Sequence, residues 1–301
     1  MNVNRRNFLA ALGAGASAAS FSDWAYSQET AAFPLKGQIK KTLKIGMIRD
    51  GKSLAEKFEI ARSAGFDGVE LNTPIGDIEE AKSAVKSTGF PVDGTVIGNH
   101  WQVRHTDPSA DVRQKALDTL KQSIEDTKVV GGDTTLLVTG HGKDGEPSEI
   151  FKRAIENITP AVELAEQLEI KIAIENVWNQ FGYDHGGDHT QDAQGFIDQV
   201  DAFDSPFVAM QFDIGNHWKY GATGDWIRQL GKRVVKLDIK GFSRETNKFT
   251  KIGEGDLDWA DVRKALSEIG YNGWCAAEVG GGDLNRLKEV AANMDRVLGL
   301  G

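Results

Sequence analysis

Cysteine is almost missing from this chain. Cys275 is the one thiol in 301 residues, so no internal disulfide framework can hold the fold. Basic residues are in deficit, 35 Lys and Arg against 44 Asp and Glu, for a formal charge of −9. That balance argues against nucleic acid as a partner, because a phosphate backbone needs a basic face. No apolar run is long enough for a stable membrane helix. A Gly-rich dinucleotide fingerprint is also lacking after the first strand-like segment.

What is present begins with "MNVNRRNFLAALGAGASAAS". The Arg5-Arg6 pair, then Phe8-Leu9 and a weakly apolar Ala/Gly/Ser run, has the form of a twin-arginine export signal. Its apolar stretch is too short and too Gly-rich for stable membrane insertion. Cleavage around "WAYSQ" divides the chain into a signal peptide, residues 1–27, and a mature part, residues 28–301. Loss of Arg5, Arg6 and Asp23 takes the formal charge from −9 to −10. The expectation is an acidic protein handled by the twin-arginine export machinery, periplasmic or otherwise exported.

The mature part alternates between two periods. Short β-branched runs recur as "TLKIGMI", "GVELN", "VDGTVIG", "TTLLVTG", "IKIAIENV", "FVAMQFDIG", "VVKLDIKG" and "GWCAAEVG". Segments with helical spacing and charged outer faces lie between them. Gly65, Gly89, Gly131, Gly231 and Gly270 fall where helix C-caps belong. Eight strand–helix units in roughly 270 residues predict an α/β fold, a single (β/α)8 TIM barrel. The competitor, a doubly wound open sheet, needs no eighth unit.

A barrel places its chemistry at the C-terminal ends of its strands. The last four strands end in Glu175, Asp213, Asp238 and Glu278. Any one of them is explained equally well by a neighbouring Lys or Arg. Burying one unpaired carboxylate costs several kcal/mol, so four at one mouth call for a shared cation. In "RVVKLDIKGFSR" this makes Asp238 a ligand inside a site, while Lys236 is expected to face outward without chemistry. The loop "NQFGYDHGGDHTQDAQ", with Asp184, His185, Asp188 and His189, is read as solvated rather than as a second metal site.

Most of the mature chain resembles the xylose-isomerase-like barrels, with ketose 3-epimerases and hydroxypyruvate isomerases among them. The likeness runs from "GKSLAEKFEIARSAGFDGVELNTP" through "IENVWN" and "FDIGNHWKYG" to "KIGEGDLDWADVRKAL" and "GYNGWCAAEV". "GEGDLDW" followed by "GYNGW" is its most specific part. The resemblance implies one divalent metal held by Glu175, Asp213, Asp238 and Glu278. Asp238 stands where the family has a His, so the donor set becomes all oxygen. That favours Mn²⁺ or Mg²⁺ and still admits Zn²⁺. The alternative is that His217 or a water replaces Asp238 as ligand.

The resemblance further implies a sugar isomerase or epimerase, in which Glu175 and Glu278 remove and return a proton next to a carbonyl through an enediolate. The same first step opens a lyase reaction on a 3-keto-glycoside, and a barrel that binds sugar without turnover is a third reading. Expected substrate contacts are Glu70, His100, Trp101, His141, Asn216, His217, Lys240 and Arg244, with Trp178 and Asn179 lining the pocket. The expected partner is a small sugar or glycoside, unphosphorylated because the chain is exported; a homo-oligomer is compatible with all of this. The related DNA-repair endonuclease barrels use several zincs and many histidines, and six scattered His in an acidic chain do not fit them.

Overall fold

Seven of the eight β-branched runs form strands where expected, and the first does so in part. The computed structural model describes residues 35–301, and the segment 1–27, expected to be a twin-arginine leader, lies outside them. In chain order the elements are β1 (Ile39–Leu43), α1 (Leu54–Ala64), β2 (Val69–Thr73), α2 (Ile78–Thr88), β3 (Val92–Ile97), α3 (Ala110–Val130) and β4 (Thr134–Leu137). Then come α4 (Pro147–Leu168), β5 (Lys171–Glu175), α5 (Gln194–Asp201), β6 (Val208–Asp213), a short α6 (Ile214–Trp218) and α7 (Thr223–Leu230). The chain finishes with β7 (Val234–Ile239), a hairpin of β8 (Gly241–Ser243) and β9 (Lys248–Thr250), α8 (Trp259–Glu268), β10 (Gly273–Ala277) and α9 (Leu284–Leu298).

Eight strands form one parallel sheet in the order β1-β10-β7-β6-β5-β4-β3-β2. The β1–β2 seam is held by a single parallel bridge, Lys44 to Glu70. This is the (β/α)8 barrel that the alternation predicts. Gly65, Gly89 and Gly131 end their helices in the left-handed conformation, which costs glycine no steric penalty. The first strand departs from its reading: it starts at Ile39, and Gly46 interrupts the run so that Ile45–Met47 coils into a short 3-10 helix.

The two-residue period decides what the barrel interior holds. Along β7, Leu237 and Ile239 join the apolar core. Lys236, Asp238 and Lys240 share the other face, which is the inside of the barrel. Lys236 is therefore not an outward-facing residue: it is fully buried and ion-paired with Glu70 and Asp93. Its chain neighbour at i+2, Asp238, already points inward, and the period takes Lys236 with it.

Two local irregularities make room for this ammonium. Val69 pairs with Val92 and Glu70 with Gly94, so Asp93 is an extra residue in a bulge, where Thr42 Oγ1 donates to its Oδ1 at 2.9 Å. A Cβ on Gly94 would lie 2.4 Å from Thr134 Oγ1 and 3.2 Å from Lys236 Nζ, so only glycine fits there. Replacing Lys236 by Met leaves buried Asp93 without a cation and Glu70 with Lys44 as its one cation, and should cost about 3–5 kcal/mol in chemical denaturation. Adding Glu70→Gln and Asp93→Asn to the same chain should recover part of that loss.

Candidate metal centre at the barrel mouth

The ends of β5, β6, β7 and β10 converge. Glu175, Asp213, Asp238 and Glu278 each offer a carboxylate oxygen, and these oxygens lie within 4.8 Å of one another. Asp213 and Asp238 are fully buried and Glu175 is nearly so. Asp213 is fixed from both sides: its backbone N–H donates to Asn176 Oδ1 at 2.7 Å, and its Oδ1 caps α6 by accepting from Asn216 N–H at 2.8 Å. Asp238 Oδ1 accepts from Gln211 Nε2 at 3.0 Å. Buried carboxylates this close, all oxygen donors, fit a hard divalent cation.

Two ammonium groups stand among them. Lys240 Nζ is 2.7 Å from Asp213 Oδ2 and 2.6 Å from Glu278 Oε2. Lys44 Nζ lies 3.0 Å from Asp238 and also pairs with Glu70 below. Glu70 is thus fully buried beneath the mouth, held by Lys236, Lys44 and Gln211. It does not face the sugar-binding space expected for it.

These neighbours separate the carboxyl groups electrically. Burial, then the charges of Glu278, Asp238 and Asp213, pushes Glu175 well above the usual carboxylate range. Burial opposes ionisation of Glu278 too, but Lys240 and Lys44 outweigh it and hold that group below its ordinary value. Burial raises Asp213 to about 6 against the pull of Lys240, and raises Asp238 to about 7 against that of Lys44. Lower down, Glu70 has two lysine partners and stays ionised, while burial pushes Asp93 up.

A cavity of about 270 Å³ opens directly over Glu175, Lys240 and Glu278, walled by His100, Trp101, Trp178, Asn216 and Phe249. It adjoins a second cavity of about 590 Å³ that shares Lys44, Lys240, Phe249 and Glu278. A larger cleft of about 830 Å³ lies at the other end of the barrel, near the starts of β5 to β7, and touches none of the four carboxylates. His100 is buried with Nδ1 unpartnered. Burial first, then Lys44, lowers its pKa to about 4, so it meets a ligand as a neutral imidazole.

Other expected residues lie elsewhere. His217 is wholly buried among aromatic rings, its centroid 3.7 Å from that of Trp226 and Nδ1 3.2 Å from Tyr183 Oη. Arg244 stacks 3.7 Å over Trp218 and donates to the carbonyls of Trp218 and Gly221, which braces the α6–α7 turn. His141 Nδ1 accepts from Lys143 N–H and caps a 3-10 turn. Asn179 donates to Gly140 O at 2.7 Å and is structural. In the β5–α5 loop, Asp188 caps Thr190 and His185 Nε2 accepts from Gln180 N–H. Among the described residues the four strand-end carboxylates are the only cluster that could hold a metal ion.

Sequence reasoning missed Lys44, Asp93, Gln211 and Phe249. Asp93 sits in a bulge, where counting by twos loses its phase, whereas Gln211, two residues before Asp213 on β6, follows from the period. Phe249 lies on the hairpin and stacks on Trp178 at 4.8 Å, a contact no local pattern announces.

A model of the family described as xylose isomerase-like TIM barrel matches residues 58–298. A putative hydroxypyruvate isomerase of Drosophila melanogaster is 24% identical over 230 residues, 75% of this chain and 85% of the relative. An uncharacterized protein of Methanocaldococcus jannaschii is 24% identical over 173 residues, covering 56% of this chain and 57% of that protein's length. Among solved structures, an L-ribulose 3-epimerase superposes with a TM-score of 0.72 at 17% identity, over 87% of this chain and 95% of the other. A 3-keto-D-glucoside 4-epimerase from E. coli gives 0.70 at 17% identity, over 86% and 98%. Structural likeness at this identity establishes the fold.

The loop that carries His100 and Trp101 is pinned by Arg104, which donates to Asp144 and Asp107, and by His105, whose Nδ1 lies 2.6 Å from Asn157 Oδ1. Burial lowers the His105 pKa to about 4. The unfolded chain takes up this proton near pH 6.5, so His105's contribution is complete above that pH and is lost as pH falls toward 4. Between pH 7 and 5 this should remove about 2 kcal/mol in urea titrations, a slope that His105→Gln should flatten.

Proposed function

We propose, for a chain that belongs to the xylose isomerase-like TIM barrel family, that it is an exported, divalent-metal-dependent sugar isomerase or epimerase. The observation that carries the reading is the convergence of Glu175, Asp213, Asp238 and Glu278 within 4.8 Å at the barrel mouth. A hard divalent ion such as Mn²⁺ or Mg²⁺ held by these four would supply a Lewis acid beside a ketose carbonyl. The rest is work for the chain's own groups. Glu278, kept ionised by Lys240 and Lys44, takes the proton from the carbon next to the carbonyl. Glu175, the other carboxyl group at this end of the barrel, returns one. Both would bind the ion in this reading, which keeps them ionised between transfers, so each accepts the proton as a base and gives it back as an acid.

The surroundings support a sugar. Trp101 and Trp178 line the cavity, His100 offers a neutral imidazole, and Phe249 extends the apolar wall. Lys44 and Lys240 offset two of the four carboxylates and a divalent ion would offset the other two, which leaves the mouth neutral and suited to an unphosphorylated substrate. The twin-arginine leader agrees with that, since phosphosugars belong to the cytoplasm.

The two adjoining cavities favour one further reading, a 3-keto-glycoside lyase. A glycoside would fill both, with Lys240 and Glu278 at their junction. Proton abstraction next to the ketone by Glu278 would then expel the aglycone with its bonding electrons, leaving an enone.

Proton NMR in D₂O, with Mn²⁺-reloaded protein and a panel of ketoses and 3-keto-glucosides, separates these outcomes. Loss of the carbon-bound hydrogen next to the carbonyl should require metal and should fall at least about 100-fold in Glu278→Gln. An epimer identifies the first reading, and a released aglycone the second. Sugar binding without hydrogen exchange would contradict both.

A further inference from the structure

Lys240 stands where a cation would stand. We propose that its ammonium is a tethered counter-ion of the carboxylate set, displaced when a divalent ion enters and then presented to the substrate; this rests on the metal reading above. Lys240 Nζ is within 2.7 Å of both Asp213 Oδ2 and Glu278 Oε2, two of the four groups that would hold the ion. An ammonium and a dication sharing those oxygens would be held about 3–4 Å apart, where their repulsion is strong at any interior dielectric. One of them must leave.

The site is built for the ammonium end to be the part that moves. Lys240 follows the last residue of β7, and its stem lies against Gly215 at the start of α6, where a Cβ would come within 2.4 Å of Lys240 Cγ. The stem is fixed by that close approach. Its terminus is not: the side chain is 12% exposed and borders both cavities. It already lies over the ring of Phe249, whose centroid is 5.1 Å from Nζ, a cation–π contact it can keep on leaving the carboxylates. Phe249 is held in place by its stack on Trp178.

Lys44 is a different case. It is bonded to Asp238 and to Glu70 beneath the mouth, and its backbone makes the bridge that closes the barrel seam. Lys44 borders the same two cavities and is 14% exposed, so what sets it apart is its tie to the fully buried Glu70, which Lys240 lacks. A released Lys240 would face whatever occupies the cavity, so its natural partner is a substrate oxygen that gains negative charge as the neighbouring carbon loses its proton.

The test is calorimetric titration of Mn²⁺ into metal-stripped wild type, Lys240→Met and Lys44→Met, with thermal melts of each with and without the ion. Removing a competing cation should tighten Mn²⁺ binding at least about tenfold in Lys240→Met. The same variant should melt below wild type when metal-free, because its carboxylates are unscreened, and should match or exceed wild type in saturating Mn²⁺. Lys44→Met should lose stability in both states. Binding by wild type with equal or weaker binding by Lys240→Met would overturn the inference and leave the metal reading standing; failure of wild type to bind would overturn both. If Lys240→Met does not fold, acylation footprinting of wild type decides. Lys240 should become several-fold more reactive when Mg²⁺ is added, and unchanged or greater protection would overturn the proposal.

Discussion

A charge inside a barrel must be neutralised there, and this requirement links the fold to the site. Lys44, Lys236 and Lys240 share the interior with Glu70, Asp93, Glu175, Asp213, Asp238 and Glu278. The pairs form two tiers. Lys236 with Glu70 and Asp93 makes the floor, and Lys240 with Asp213 and Glu278 occupies the mouth. Lys44 joins them, touching Glu70 below and Asp238 above. The residues that neutralise the interior also bridge β1 to β2. Barrel closure and placement of the Asp238 carboxylate are therefore one arrangement. The positive charge does not cover the negative, since three ammonium groups face six carboxylates. In the metal-free protein part of the excess is met by protonation, with burial raising Glu175 and Asp93. A divalent ion would take the place of the proton on Glu175 and meet the remainder.

The same electrostatics gives the mouth its chemical asymmetry. Glu278 has two ammonium neighbours and Glu175 has mainly carboxyl neighbours, so groups of similar type sit on opposite sides of their ordinary value. The neutral His100, the indoles and the hairpin phenyl ring then define a space that is polar at its base and aromatic at its walls, as a ring with an apolar face and many hydroxyls requires.

The barrel was legible because each strand carries its own period and each helix its own stop. The convergence of the four carboxylates was legible because they terminate consecutive strands, and the ends of neighbouring barrel strands meet at one mouth. Lys236 was also legible: residues two apart on a strand share a face, so placing Asp238 inside required Lys236 inside. Other features were hidden for definite reasons. Asp93 enters through a bulge, which local periodicity cannot follow, whereas Gln211 shares its face with Asp213 as Lys236 does with Asp238. His217 and Arg244 lie close in sequence to Asp213 and Asp238, but α6 turns the first into a ring cluster and the second onto its own carbonyls. Nearness along the chain implied a shared site that the backbone does not make.

The central claim is that the four strand-end carboxylates form one divalent-cation site. Anomalous diffraction at the manganese edge from crystals of the protein grown with Mn²⁺ addresses it directly. The account predicts one strong peak enclosed by Glu175, Asp213, Asp238 and Glu278, with the Lys240 ammonium moved away from Asp213. A mouth without an anomalous peak, with Lys240 still seated between Asp213 and Glu278, would contradict it.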